Sequence, residues 1–213
     1  MSARANLRTQ QTALTRDLIM EALTDLIVDR GVQAFSVQQV AERAGVSHRT
    51  VYRHYPSRQA LLDGLAEWLD ERFARRLGSD VDDYKSMMDD LDSLARGVEL
   101  SFAHMDEHAT HMKAYVALHV GTGIIAARRK ERTDALRATL VRGAAGAFSP
   151  GHRDAVVGLL RTLISSTTWH QMTTEHGLDG RVAGRSVAWA IQTLIADLEA
   201  GGGPALDEDG GDE

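Results

Sequence analysis

The chain has 213 residues, with 24 Lys or Arg, 30 Asp or Glu, no Cys and only three Pro. The lack of cysteine excludes disulfides, thiolate metal sites and thiol nucleophiles, and no apolar run approaches the ~20 residues that span a bilayer. The first residues lack the apolar core of a signal peptide, so we expect a cytoplasmic protein. Abundant Ala and Leu with few β-branched runs predict an all-α fold.

Charge is distributed unevenly along the sequence. Residues 1–62 contain eight Arg and five Asp or Glu, a net charge of +3, whereas residues 63–213 have a net charge of −9. A basic N-terminal segment on an acidic protein is expected when only that segment meets phosphate groups. The overall acidity therefore does not argue against nucleic-acid binding.

A first helix is predicted from about Thr12 to Arg30, because apolar residues recur there at helical spacing and Gly31 can end the helix. Residues 1–11 are expected to form a flexible N-terminal arm. Arginines in this arm would at most add a minor-groove or phosphate contact.

Residues 36–55, SVQQVAERAGVSHRTVYRHY, predict a helix-turn-helix. Ser36 with Gln39 has the pattern of a capping box, Gly45 supplies the positive φ of a sharp corner, and Ser47 caps the second helix. That second helix turns a polar, basic face outward, which suits the acceptor-rich major groove of DNA. The alternative is a tight helical corner whose charges are merely solvated.

Beyond this motif, Ser57 predicts the start of a long fourth helix that joins the N-terminal segment to a larger body. The body is predicted to contain helices at about 81–107, 109–120, 122–147, 152–176 and 181–200. Residues 201–213 are rich in Gly and Asp and predict a disordered acidic tail.

Several short sequence patterns within residues 12–72 occur in the order expected for one known type of domain. They are Gly31, Phe35-Ser36-Val37, Ala44-Gly45-Val46-Ser47, Thr50-Val51-Tyr52 and Ser57-Arg58. With these patterns, residues 12–72 resemble the DNA-binding domain of the TetR/AcrR (tetracycline-repressor-like) family of bacterial regulators. The resemblance implies an all-α protein with an N-terminal three-helix head, joined by a long helix to a ligand-binding and dimerisation domain at 73–200.

The resemblance also implies which side chains contact DNA. They are Ser36, Gln38, Ser47, His48, Arg49, Thr50, Tyr52, Arg53, His54 and Arg58. We expect His48 and Arg49 to contact base edges, with Arg49 able to form a bidentate pair with guanine. Most of the others would hold phosphates. For Tyr52, packing in the core is the alternative.

A homodimer on a palindromic double-stranded operator is the further implication, with the interface on the last two helices. Its apolar residues would be Val156, Leu159, Leu160, Leu163, Val187, Ile191, Leu194 and Ile195. Gly158 and Gly184 would allow helices to approach closely. The alternative for part of this set is that one face is simply core.

The family usually couples a small molecule in the body to release of DNA, so we expect an unidentified effector and no cofactor. Methionines and aromatic residues make adaptable apolar cavities, although such stripes more often mark plain core. The candidates for a pocket lining are Trp68, Met87, Met88, Leu91, Phe102, Met105, His108, His111, Met112, Tyr115, Trp169 and Met172.

His104, His108 and His111 lie on one predicted helical face. Neutral imidazoles in this arrangement could bind a transition metal, contact an organic ligand or sense pH; an ordinary half-exposed helix face is the alternative. Asp106 and Glu107 are expected to point away from this face, and a helix break near His108 weakens the metal hypothesis.

An enzyme is not predicted, because the sequence contains no Gly-rich phosphate loop, nucleophile elbow or HExxH pattern. We predict a homodimeric transcriptional repressor that a small molecule releases from its operator. The alternative is an architectural or activating helix-turn-helix protein without an inducer, which would bind DNA by shape.

Overall fold

The computed structural model describes residues 3–77, 90–122, 126–142 and 150–204. Within these ranges the regular structure is entirely helical, as predicted, and none of the helices there could cross a membrane. The helices are α1 (Ala3–Arg30), α2 (Val37–Ala44), α3 (His48–His54), α4 (Arg58–Leu77), α5 (Leu91–Glu107), α6 (Ala109–Thr122), α7 (Ala126–Arg142), α8 (Pro150–Leu163), α9 (Ser166–Thr174) and α10 (Gly180–Glu199).

The chain folds as two compact units, the first of which holds residues 1–76 and 109–126. In this unit α1 packs against α2 and α6, and α2 packs against α3. The inner face of α1 is buried, with Ile19 and Leu23 at zero exposure, whereas Leu18 is 45% exposed. Helix α6, which the sequence led us to place in the body, therefore packs with the head.

Helix α1 is longer than predicted, since it begins at Ala3 rather than near Thr12. The first residues contain no Gly or Pro and are rich in good helix formers. The hydroxyl groups of Thr12 and Thr15 donate to the carbonyls of Arg8 and Gln11 at 2.9 and 2.8 Å, which is compatible with a helix. The arm that we expected to be flexible is thus helical from Ala3 onward.

The second unit holds residues 77–108 and 127–213, and its main packing is between α5 and α10. A Cβ at Gly184 would lie 2.9 Å from the Cα of Glu99, so only glycine allows this approach of the two backbones. Arg185 donates to the Glu99 carboxylate at 2.9 Å beside this contact. Gly184 therefore allows a close helix approach within one chain, whereas Gly158 has open space around it, and their role in a dimer interface stays a prediction.

Where we predicted one helix over residues 152–176, the structure has two, α8 and α9. Ser165 separates them: its hydroxyl accepts the Thr168 N–H at 3.1 Å and donates to the Thr162 carbonyl at 2.8 Å. A serine that satisfies backbone groups in this way ends one helix and caps the next. The predicted start of the helix at residue 81 and the tail beyond residue 204 lie outside the described residues.

Candidate DNA-binding surface

The start of α2 is fixed by the predicted capping box. The Gln39 N–H donates to Ser36 Oγ at 3.2 Å, and the Ser36 N–H donates to Gln39 Oε1 at 2.9 Å. At the other end, Arg43 forms ion pairs with Asp25 and Asp29 of α1 at 3.1 and 3.2 Å. Helix α2 is therefore held at both ends, which gives the following turn a rigid base.

The turn between α2 and α3 is as the sequence predicts. Gly45 has φ +66°, and the Val46 N–H donates to the Ala41 carbonyl at 3.0 Å. Ser47 caps α3 by accepting the Thr50 N–H at 3.1 Å, and the Ser47 and Thr50 hydroxyl groups lie 2.8 Å apart. The position of α3 is thus set by backbone geometry and two hydroxyl groups.

Helix α3 buries one side chain, Val51, and presents polar groups elsewhere. His48 and Tyr52 are one turn apart, and their rings meet edge to face with centroids 4.7 Å apart. Tyr52 is 44% exposed, so it does not pack in the core. Its hydroxyl group therefore belongs to the surface that would face DNA.

Two arginines on this surface form no ion pair within the described residues. Arg49 and Arg53 are exposed, and neither forms an ion pair with any residue in the described part of the chain. A guanidinium group in this state needs to give up only water to pair with a phosphate or with guanine. Both guanidinium groups are therefore available to an external partner.

Arg58, which we also predicted to contact DNA, makes contacts within the protein instead of projecting freely. Its guanidinium group lies 4.4 Å from the ring centroid of Phe35 and donates to the carbonyl of Val32. The side chain is half-buried and links the start of α4 to the loop before α2. A phosphate contact by Arg58 remains a prediction, and the structure adds an internal role.

Gln38 and His48 line one cleft along α2 and α3, together with Ala41, Glu42 and Val46. The amide of Gln38 donates to the Glu42 carboxylate at 2.9 Å. Sequence analysis did not single out Glu42, because a carboxylate is not expected beside phosphate. Its hydrogen bond orients Gln38 before any DNA arrives.

The end of α3 depends on Tyr55, whose N–H donates to the Val51 carbonyl at 2.8 Å. The Tyr55 ring occupies the space above Gly64, where a methyl group would overlap it. Sequence analysis missed Gly64, because a glycine inside a helix gives no signal of what lies next to it. At the neighbouring position, burial and then the charge of Arg53 lower the pKa of His54 below 6.5, so its imidazole is neutral at pH 7.

Some predicted pocket residues belong to a polar network of the first unit. Trp68 is buried and donates from Nε1 to Asp17 at 2.7 Å, and its ring lies 5.6 Å from that of His111. His111 Nε2 is 3.0 Å from Glu21, which also pairs with Arg72 at 2.9 Å. These contacts join α1, α4 and α6.

The remaining pocket candidates are divided between the core and partly covered positions. Met112, Tyr115, Leu91, Phe102 and Trp169 are buried, whereas Met105, His108 and Met172 are half-buried. Met87 and Met88 lie outside the described residues. Core positions explain why these residues are apolar, and their contact with a ligand remains a prediction.

The structure separates the three predicted histidines. His111 pairs with Glu21 in the first unit, whereas His104 and His108 lie together in the second. The expectation that Glu107 points away is wrong, because its carboxylate lies within 4.8 Å of a ring nitrogen of each of these two histidines. Asp106 is engaged elsewhere, since its carboxylate accepts the Gly180 N–H at 3.0 Å.

Most of the residues predicted for a dimer interface lie inside the single chain. Five are buried, namely Val156, Leu160, Val187, Ile191 and Ile195. Leu163 and Leu194 are half-buried, and only Leu159 is exposed, at 47%. The other large apolar side chains exposed on α8 and α10 are Val182, at 44%, and Trp189, at 70%, neither of which the sequence pattern selected.

Comparison with known proteins agrees with this geometry. Residues 19–65 match the family model of the bacterial regulatory proteins of the tetR family. The chain is 36% identical over 70 residues to the HTH-type transcriptional regulator AlkX of Mycobacterium tuberculosis, a match that covers 33% of each protein. The chain thus aligns with about a third of the length of this relative.

Solved structures extend the likeness of fold to most of the chain. The transcriptional regulator FadR from Bacillus subtilis, in complex with stearoyl-CoA, has a TM-score of 0.63 at 17% identity, over 82% of this chain and 96% of that one. The TetR family transcriptional regulator PfmR from Thermus thermophilus has a TM-score of 0.60 at 22% identity, over 83% and 94%.

The capped helix-turn-helix with its exposed basic α3 lies within the residues that match this family model, and the all-α chain shares the fold of these solved regulators. Residues 19–65 therefore match the N-terminal domain of the tetR family of bacterial regulatory proteins.

Proposed function

We propose that the protein is a cytoplasmic homodimeric repressor that binds a palindromic operator and is released by a small-molecule ligand. The observation that supports the DNA-binding part best is the outer face of α3, where Arg49 and Arg53 are exposed and unpaired within the described residues. Each α3 would enter the major groove with its N-terminal residues leading, which favours His48 and Arg49 for base contacts.

A dimer is proposed because one short helix contacts too few base pairs to define a site. Helices α8 and α10 touch each other and each has a second apolar strip directed away from the core. On α10 this strip contains Val182 and Trp189, seven residues apart and hence on one side of the helix. On α8 it contains Ala155 and Leu159.

A two-fold axis would pair these strips with their copies, giving a four-helix interface. Trp189, at 70% exposure, is the largest apolar side chain available on it. Large aromatic residues at the centre of an interface commonly provide most of the binding energy. We therefore move the proposed interface from the inner face of α10, which the sequence suggested, to the outer one.

Ligand release is proposed by likeness of fold and from the composition of the second unit. A solved protein of this fold was crystallised in complex with stearoyl-CoA, at a TM-score of 0.63. In the present chain Met105 and Met172 are half-buried, and methionine adapts well to apolar ligands. Long-chain acyl compounds are thus the first class to test as effectors.

The test is a selection of bound sequences from random duplex DNA by the full-length protein at one fixed salt concentration. The proposal predicts an inverted repeat whose half-sites are about one helical turn, or a multiple of it, apart. Uniform weak binding without a repeat would overturn it in favour of an architectural protein. Stearoyl-CoA, with free coenzyme A as control, would then be titrated against the complex with the selected operator.

A further inference from the structure

The last turn of α5 brings two imidazoles and a carboxylate together. His104, Glu107 and His108 each offer one ligand atom, and these three atoms all lie within 4.8 Å of one another. The two imidazole rings meet edge to face, with centroids 4.7 Å apart. All three residues belong to the second unit, whereas the proposed DNA-binding surface belongs to the first.

The end of the helix explains this convergence. His104 and His108 are four residues apart, which places their side chains one above the other on a helix. Glu107 is the last helical residue, and His108 has φ −121° and ψ 33°, so the backbone leaves the helical path there. The three ligand atoms thus meet at the point where the regular helix ends.

The site also contains a nitrogen that has no partner. His104 Nε2 is buried and forms no hydrogen bond with any group in the described ranges. Buried polar atoms nearly always have a partner, so an orphan such as this one calls for an explanation.

We propose that His104, Glu107 and His108 bind a divalent first-row transition metal, for which zinc is the best fit. Two imidazole nitrogens and one carboxylate oxygen form a donor set typical of Zn²⁺ sites that leave a fourth position to water. The order of residues, H-x-x-E-H, also occurs on zinc-binding helices of one class of metallopeptidases. Only the spacing is shared with these enzymes.

The geometry requires a modest contraction of the cluster. Metal–ligand bonds of about 2.0–2.2 Å place tetrahedral donors roughly 3.3 Å apart. In the structure the three candidate ligand atoms lie within 4.8 Å of one another. Glu107 is exposed and the two histidines are half-buried, so rotation of side chains can close the gap without moving the backbone. Coordination through Nε2 of His104 would also give this buried nitrogen a partner.

The experiment uses full-length protein without a histidine tag, stripped of metal by a chelator. Zn²⁺ is titrated in competition with a chromophoric chelator, on the wild type and on His104→Ala, His108→Ala and Glu107→Gln. His176→Ala is the matched control, because His176 is exposed and outside the cluster. Circular dichroism melts of each variant without metal show whether it is folded.

The proposal predicts one Zn²⁺ per chain for the wild type and for His176→Ala. Loss of either cluster histidine should weaken Zn²⁺ binding at least about tenfold. Removing a residue that only hydrogen-bonds to a metal ligand already lowers metal affinity by about that factor. Absence of saturable binding by the wild type, or equal binding by His104→Ala and His176→Ala, would overturn the site.

If a variant does not fold, a second measurement on the wild type alone still tests the site. Co²⁺ bound by two nitrogens and an oxygen in a four-coordinate site absorbs strongly in the visible range, and Zn²⁺ should abolish this band by displacement. A spectrum that stays that of hydrated Co²⁺ would contradict the proposal.

Discussion

Helices α3 and α10 both present side chains to solvent, yet the sequence predicted the outer face of only one of them. On α3 a single apolar residue, Val51, is buried, so every other position is left for the surface. On α10 apolar residues occur on more than one side, and the set we chose for the dimer includes Val187, Ile191 and Ile195, which are core. When the apolar residues of a helix lie on one side, the sequence identifies the buried face. When they lie on more than one side, as in α10, the sequence alone does not identify it.

The largest expected effect comes from the outer face of α10. Trp189→Asp should dissociate the proposed dimer, at a cost of about 2–4 kcal/mol for a central aromatic residue. It should also weaken operator binding, because each head of the proposed dimer would hold one half-site. Sedimentation equilibrium would measure the dissociation constant and thermal melting the fold.

Ile191→Ala is the matched control for the inner face of the same helix. It should lower the free energy of unfolding by about 2–5 kcal/mol and leave the folded protein dimeric. A dimeric Trp189→Asp variant together with a monomeric but folded Ile191→Ala variant would restore the interface predicted from sequence.

The same contrast defines how much of the molecule the sequence could predict. Caps and turn residues act locally, so the sequence correctly predicted Ser36 and Ser47 as the caps of α2 and α3 and Gly45 as the turn between them. The contacts of Gly64 with Tyr55 and of Arg58 with Val32 and Phe35 join residues of different elements. No periodic pattern contains that information, which is why these two roles became evident only in three dimensions.

The two glycines predicted to allow close helix approach offer a smaller effect. Gly184→Ala should destabilise the fold by about 1–3 kcal/mol through overpacking against Glu99. Gly158→Ala, with open space around it, should stabilise α8 by about 0.5–1 kcal/mol through helix propensity. Chemical denaturation at one protein concentration measures both, and a reversed order of stability would show that the packing of α5 on α10 is not as described.

Arg58 tests whether an arginine near α3 serves DNA or the fold. Arg58→Ala should lower the free energy of unfolding by about 1–2 kcal/mol, because it removes the contact with Phe35 and the hydrogen bond to Val32. Arg53→Ala should leave stability unchanged and reduce the salt dependence of DNA binding by about one charge.

Unaltered stability of Arg58→Ala would contradict the internal role of this side chain. A reduced salt slope for the same variant would show that Arg58 also contacts a phosphate, as the family resemblance implies, and an unchanged slope would exclude that contact.

The smallest effect concerns pH. Burial and the charge of Arg53 lower the pKa of His54 in the folded protein, so the unfolded chain takes up a proton first as pH falls. Above pH 6.5 the imidazole is neutral in both states, and His54 does not lower the free energy of unfolding. As pH falls below that value toward the lowered pKa, the free energy of unfolding should decline. His54→Gln should lose less stability than the wild type between pH 7 and pH 5, whereas His176→Gln should follow the wild type.

The most direct test of the account is a binding-site selection with Arg49→Ala beside the wild type, at the same salt concentration. If the exposed face of α3 contacts base edges through Arg49, the variant should bind the wild-type operator about 1–3 kcal/mol more weakly and lose its preference at one position of each half-site. Weaker binding with an unaltered preference at every position would contradict the assignment and leave Arg49 a phosphate contact.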